Sequence, residues 1–189
     1  RSGKVRATAY HMDLKNELHY NALTFTNMNL SPTRRYGMEL EANWQANPAW
    51  SFSGNYTYTD AKFRSGVYSG TDVSGNNLPV VPSHSTALSA HWEFAPRASW
   101  NTSLRYVGTQ YFDNDQQNNF AHKIPSYRIV DMNLMYRLDK NWTLSAAANN
   151  LFNEKYFTYG IRSASTPGRF NAYPMPERNY WLSAAYAFK

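Results

Sequence analysis

The five histidines, His11, His19, His84, His91 and His122, are the side chains best suited to acid–base or metal chemistry near neutral pH. They are widely separated, and no pair has the close spacing or the Asp, Glu or Cys company of a metal site. His91 falls on the same strand face as Glu93, an acid–base pairing in principle, but a hydrogen-bonded wall residue is the plainer reading. "SPTRR" and "TPGR" are turn chemistry and not phosphate loops, because no Gly-rich strand-to-helix context surrounds them. No catalytic constellation, metal site or cofactor is therefore expected, and the chain does not read as an enzyme.

A second group has binding chemistry. Tyr68, Tyr111, Phe112, His122, Tyr159, Arg162, Arg169, Phe170 and Tyr173 lie in or beside stretches rich in Gly, Ser, Asn and Pro, such as "RSGVYSGTDVSGNNLPVVPS" and "GIRSASTPGRFNAYPMP". These stretches are loops. Flat apolar rings combined with cationic charge suit a small ligand that carries aromatic groups or net negative charge. Long polar loops can equally be solvated connections, so the nine residues are candidates for ligand capture.

The elements that position them alternate with period 2. In "NPAWSFSGNYTYTD", Trp50, Phe52, Gly54, Tyr56 and Tyr58 fall on one face, and Ser51, Ser53, Asn55, Thr57 and Thr59 on the other. Tyr36 to Trp44, Thr86 to Phe94, Trp100 to Tyr106, Val130 to Leu138 and Tyr180 to Phe188 repeat the rule. The segment from Trp142 begins the same way and then blurs, and the first, over about 4–20, is the least regular. The pattern predicts eight strands and no helix. Tight turns at about 46–49, 95–98 and 138–141 alternate with long connections at about 20–29, 63–83, 112–125 and 158–177. Short and long ends therefore lie on opposite sides of an antiparallel up-and-down meander.

Trp44, Trp50, Trp92, Trp100, Trp142, Tyr186 and Phe188 cluster at the short-turn end of the apolar face, as an aromatic girdle at a membrane interface would. The opposite face carries Arg35, Glu39, Glu41, His91, Arg105, Asp131 and Arg137, a polar wall; its six charged residues other than His91 read as a mutually paired, hydrated network, the alternative being that they line a ligand path or contact a plug. A membrane barrel, polar inside and apolar outside, follows. The mean hydropathy of −0.66 and the lack of any run of about 18 apolar residues exclude a transmembrane helix but not strands of about 9–11 residues. A soluble β-barrel binding module, for which alternation alone would suffice, is disfavoured by the charged face and the indole level. The net charge of +6 is spread along the chain with no basic run, so nucleic-acid binding is not expected. The absence of cysteine fits an oxidising compartment. A start at "RSGKVRATAY", with neither Met nor signal peptide, reads as a mature chain or a fragment.

"AANNLFNEKYFTYG" resembles the C-terminal barrel region of TonB-dependent outer-membrane receptors, whose penultimate strand carries Asn-Leu-Phe-Asp/Asn and then Lys/Arg-Tyr. The matching residues are Asn150, Leu151, Phe152, Asn153, Lys155 and Tyr156. "RRYGMELEANW", "NNLPVVPSHSTALSAHW" and "RNYWLSAAYAFK" extend the likeness over the whole chain. The resemblance implies that residues 1–189 are the last eight strands of a barrel of about twenty-two, with the plug domain and TonB box absent. It also implies a monomeric receptor in the Gram-negative outer membrane for a scarce nutrient chelate, most often a ferric siderophore, with haem and cobalamin as further cargoes. Its partners would be the TonB complex, reached through the N-terminal part, outer-membrane lipid, and lipopolysaccharide, whose phosphates the loop arginines could meet. Such receptors normally end on an aromatic residue, whereas Lys189 follows Phe188 here. The alternative is a self-contained eight-stranded structural or adhesion barrel, since eight strands can close around a side-chain-filled interior.

Overall fold

The computed structural model describes residues 2–21 and 24–188, so the terminal departure at Lys189 lies outside the described residues. Its strands are β1 (Ser2–Leu14), β2 (Leu18–Asn21), β3 (Thr26–Asn29), β4 (Thr33–Asn47), β5 (Trp50–Phe63), β6 (Val67–Tyr68), β7 (Thr71–Asp72), β8 (His84–Ala95), β9 (Ala98–Val107), β10 (Tyr127–Arg137), β11 (Trp142–Asn149), β12 (Phe157–Arg162), β13 (Phe170–Pro174) and β14 (Asn179–Tyr186). No helix occurs among the described residues.

Eight of these strands form one antiparallel sheet in the order β1-β4-β5-β8-β9-β10-β11-β14, each pairing with the next long strand of the chain. Among the described residues β1 and β14 are edges that do not pair with each other. Over the described residues the sheet is therefore open.

Register turns the alternation of single strands into two continuous faces. One row runs Trp50, Trp92, Trp100, Leu134, Ala146, Leu182, while the row beside it runs Ser51, His91, Asn101, Asn133, Ala147, Trp181. A slip of one residue in any pair would move a whole strand's apolar set onto the polar face, so the contrast between faces enforces the register.

The first, irregular segment is two elements. β1 stops at Leu14, Asn16 takes a left-handed backbone (φ 59°), and β2 starts a separate hairpin with β3. Two of the other three long connections also contain hairpins, β6–β7 and β12–β13, where plain loops were expected. The Asn-Leu-Phe-Asn motif, expected on the penultimate strand, is instead the turn after β11, with Asn150 and Asn153 at φ 50° and 56°. Asparagine tolerates this conformation better than most residues because its side chain bonds locally.

Candidate functional site

The aromatic residues of the apolar face form a stacked belt at the short-turn end. Trp44 stacks on Phe52, Phe52 on Trp50 and Trp50 on Trp92, with ring centroids 5.5, 5.6 and 4.9 Å apart. Trp100 is the cross-strand partner of Trp92, and Trp142, Tyr186 and Phe188 continue the series at 5.0 and 4.8 Å. A second aromatic level, not anticipated above, stands at the other end: Tyr36 is eight residues from Trp44, and Tyr58 eight from Trp50. Eight residues rise about 27 Å along a strand. At a tilt of about 40° that is about 20 Å of depth, close to the apolar band of outer-membrane barrels. The same eight-residue spacing of Tyr and Trp on β4 and β5 was the signal that could have revealed it.

The polar wall is not the mutually paired network expected. Arg35 pairs with Glu17 in the connection after β1, and Glu17 also accepts from Thr33 Oγ1 at 2.6 Å. Glu41 pairs with Arg6 at 3.6 Å. His91 is bonded through Nδ1 to Asn101 Oδ1 at 2.7 Å and lies 3.6 Å from Glu93, which makes it the wall residue expected. Asp131 accepts the Asn150 N–H at 2.8 Å. Among the described residues, none of Arg35, Glu39, Glu41, His91, Arg105, Asp131 and Arg137 pairs with another of the seven. Glu41 and Arg105 share a row but stand three strands apart, and Arg105 and Asp131 are diagonal neighbours on β9 and β10 without an ion pair between them.

The long connections fold over the polar face instead of standing clear of the sheet. Ala61 and Phe63, at the polar-face positions that end β5, are buried beneath Tyr68, Val73 and Leu78. Tyr127 and Ile129, on the same face of β10, are also buried, and Tyr156 reaches back to lie 4.5 Å from the Tyr127 ring. The turn after β11 directs this return. Asn150 Nδ2 donates to the carbonyls of Glu154 (2.9 Å) and Pro176 (3.3 Å), and its Oδ1 accepts the Glu154 N–H at 2.8 Å.

Within this loop layer the nine candidates separate. Phe112 (0% exposed) and Tyr68 (7%) are interior residues, not the capturing surface they were taken for. Phe112 packs against Phe120, Phe157 and Phe170, and Gly160 must lack a side chain because a Cβ there would lie 2.6 Å from the Phe112 ring. His122 and Phe170 meet at 6.1 Å and are exposed. Tyr159 and Tyr173 meet at 5.7 Å, Tyr159 half-buried and Tyr173 65% exposed. Tyr111 lies under the Lys123 ammonium at 4.2 Å. Arg169 is exposed near the tip. Arg162 is held by Asn119 Oδ1 (2.7 Å) and by the buried Asp115 (3.5 Å).

Electrostatics within the layer follow burial. Burial pushes the Asp115 carboxyl above the usual carboxylate range, opposed by the N–H groups of Asn119 and Phe120 and by the Arg162 charge. The Tyr159 hydroxyl is raised well above the ordinary phenol value, first by burial and then by its 2.8 Å hydrogen bond to Asp113 Oδ2. Tyr159 is therefore a neutral donor across the physiological range. No cluster of His, Cys, Asp and Glu suited to a metal ion occurs among the described residues.

A twisted antiparallel wall with one apolar face bounded by aromatic levels, one polar face, tight turns at one end and long loops at the other defines an outer-membrane β-barrel. Comparison with known proteins is specific. Residues 1–151 match the family described as TonB dependent receptor-like, beta-barrel. The chain is 25% identical over 198 residues to the iron-regulated outer membrane virulence protein of Vibrio cholerae, covering 96% of this chain and 28% of the relative. It is 32% identical over 140 residues to the ferrichrome outer membrane transporter/phage receptor of Escherichia coli, covering 67% and 18%. The crystal structure of the ferric yersiniabactin uptake receptor FyuA from Yersinia pestis superposes with a TM-score of 0.78 at 22% identity, covering 98% of this chain and 28% of that one.

The chain belongs to the TonB-dependent receptor β-barrel family, proteins of the Gram-negative outer membrane, and the matched proteins are receptors and transporters, not enzymes. It spans less than a third of the length of the curated relatives it matches.

Proposed function

We propose that this chain is the C-terminal part of the barrel, about twenty-two strands in all, of a monomeric receptor-transporter that takes up a ferric siderophore with energy delivered through TonB. Cargo is captured at the loop layer, and the polar wall faces the lumen and its plug. The two aromatic levels sit at the two lipid interfaces, with outer-leaflet lipopolysaccharide around the loop end. The observation that carries the reading is the folding of the long loops over the polar face. On this reading half-buried Tyr159 and exposed Tyr173, Phe170, His122 and Arg169, with Arg162 beside them, stand above the lumen and not out to the side. Rings and guanidinium groups in that place fit a chelate of aromatic or anionic character. Relatives whose names specify iron, ferrichrome or ferric yersiniabactin favour iron chelates over haem or cobalamin.

The test is binding by the full-length receptor, measured with ferrichrome, ferric citrate, ferric yersiniabactin, haem and cobalamin, in the parent and in a variant lacking residues 163–171. Binding of a ferric chelate by the parent, weakened at least tenfold by the deletion with barrel stability unchanged, is the expected result. Binding of haem or cobalamin alone would contradict the cargo, and unchanged ferric-chelate binding would remove this loop from the site.

A further inference from the structure

Three long connections, 64–83, 108–126 and 150–178, leave different strands and are far apart in sequence, yet one short segment ties them together. It is "DNDQQNN", Asp113–Asn119. Towards 64–83, Asn118 Oδ1 accepts the Asn77 N–H at 2.7 Å and its Nδ2 returns a bond to the Asn77 carbonyl at 3.0 Å. Asn76 Nδ2 reaches the Gln116 carbonyl at 3.1 Å, and Gln117 Nε2 the Tyr68 carbonyl at 3.2 Å. Towards 150–178, Asn114 makes the same two-way clasp, accepting the Arg162 N–H at 2.8 Å and donating to the Arg162 carbonyl at 3.0 Å. The Asp113 N–H donates to the Gly160 carbonyl at 3.1 Å. Asn114, Asp115 and Gln116 are each at least 98% buried, which is the interior of a folded unit and not the surface of a solvated loop.

Each clasp substitutes an asparagine amide for a missing strand, satisfying the N–H and C=O of one residue at once. Breaking either would leave two part-buried backbone groups unpaired, the costly side of hydrogen-bond energetics. The apolar contacts respect the same grouping: Phe112 of one connection packs on Phe157 and Phe170 of another, and the Val80 N–H donates to the Tyr111 carbonyl at 3.0 Å. Arg162, one of the candidate ligand contacts, is thus held at its backbone by Asn114 and at its guanidinium by Asp115 and Asn119.

We propose that Asn114 and Asn118 are positioning residues for cargo recognition. They join the three connections into one cap, which opens and closes over the mouth as a body, so the affinity of the exposed contacts depends on two asparagines that touch no cargo. The proposal rests on the receptor reading for its cargo arm only.

Native-state hydrogen exchange of the full-length receptor in lipid, followed by mass spectrometry with increasing urea, tests it in the parent. A cap has one opening, so the amides of Asn77, Val80, Asp113 and Arg162, which bridge the connections, should converge on one opening free energy and one urea dependence. Distinct openings for the 64–83 and 150–178 amides would overturn it. Two variants sharpen the test. Asn114→Ala removes bonds to 150–178 alone, yet a cap requires at least fivefold faster exchange at Asn77 and Val80; Asn118→Ala, which loses its bonds to 64–83 and one to the Asp115 carbonyl of its own segment but none to 150–178, should do the same at Arg162. Acceleration confined to the directly touched connection would also overturn the proposal. In parallel, each variant should weaken the parent's ferric chelate at least fivefold with the exchange of the sheet amides unchanged. A parent that binds none of the chelates would sink the receptor reading, and the exchange result would still decide whether the cap exists.

Discussion

Arginine placed at Leu104 and at Ser103 puts the same charge on neighbouring residues of β9 but on opposite faces of the wall. Leu104 lies between Leu88 and Val130, four residues above Trp100. That is about 13 Å along the strand and about 10 Å in depth, roughly midway between the two aromatic levels. Ser103 lies between Ser89 and Asp131 on the polar face. Loss of the leucine itself costs little, because lipid is as apolar as its strand neighbours. The cost of Leu104→Arg is the charge at the bilayer midplane, about 2–4 kcal/mol, or about 30- to 1,000-fold in the folding equilibrium. Ser103→Arg keeps its guanidinium in the lumen beside Asp131, and should cost below about 1 kcal/mol, the scale of a solvated surface charge. Urea unfolding of the full-length receptor in lipid vesicles measures both. Equal penalties, or a larger one at Ser103, would refute the assignment of the faces.

An epitope inserted at Gly70, where the loop has open space around it, should be reached by antibody on intact cells, whereas one at Asn47 should be reached only after the outer membrane is permeabilised. Phe112→Ala should destabilise the loop layer by about 3–5 kcal/mol, seen as loss of protease resistance in 64–83 and 150–178 while the sheet stays protected, whereas Tyr173→Ala should lower chelate affinity and leave that resistance intact. Because burial raises the Asp115 carboxyl, the folded layer holds that proton more tightly than the unfolded segment does. Its stability should therefore rise as pH falls through the raised value, levelling off below the unfolded value of about 4, and Asp115→Asn should abolish the slope in hydrogen-exchange protection corrected for intrinsic rates.

The strands were legible where both faces differ in chemistry. From Trp50 to Thr59 every odd residue is small and polar and every even one apolar, so period and face were read together. The turn at Asn47 was legible too, since Asn47 Oδ1 accepts the Ala49 and Trp50 N–H groups at 2.9 Å, a bond made within three residues. The loop layer was not, because its bonds are non-local. Asn114 to Arg162 and Asn118 to Asn77 span more than forty residues, and nothing in "DNDQQNN" distinguishes a buried clasp from a solvated polar run. The same limit put Tyr68 and Phe112 among exposed candidates. Composition marks a segment as loop, but only the fold decides which of its rings face inward.

The receptor account is tested most directly by iron uptake in cells that carry the full-length protein, supplied with radioiron as ferrichrome, ferric citrate or ferric yersiniabactin, with and without functional TonB. The expected result is that one chelate binds in both strains and accumulates in the TonB-positive strain alone. Failure to bind any of the three, or accumulation that proceeds equally without TonB, would contradict it.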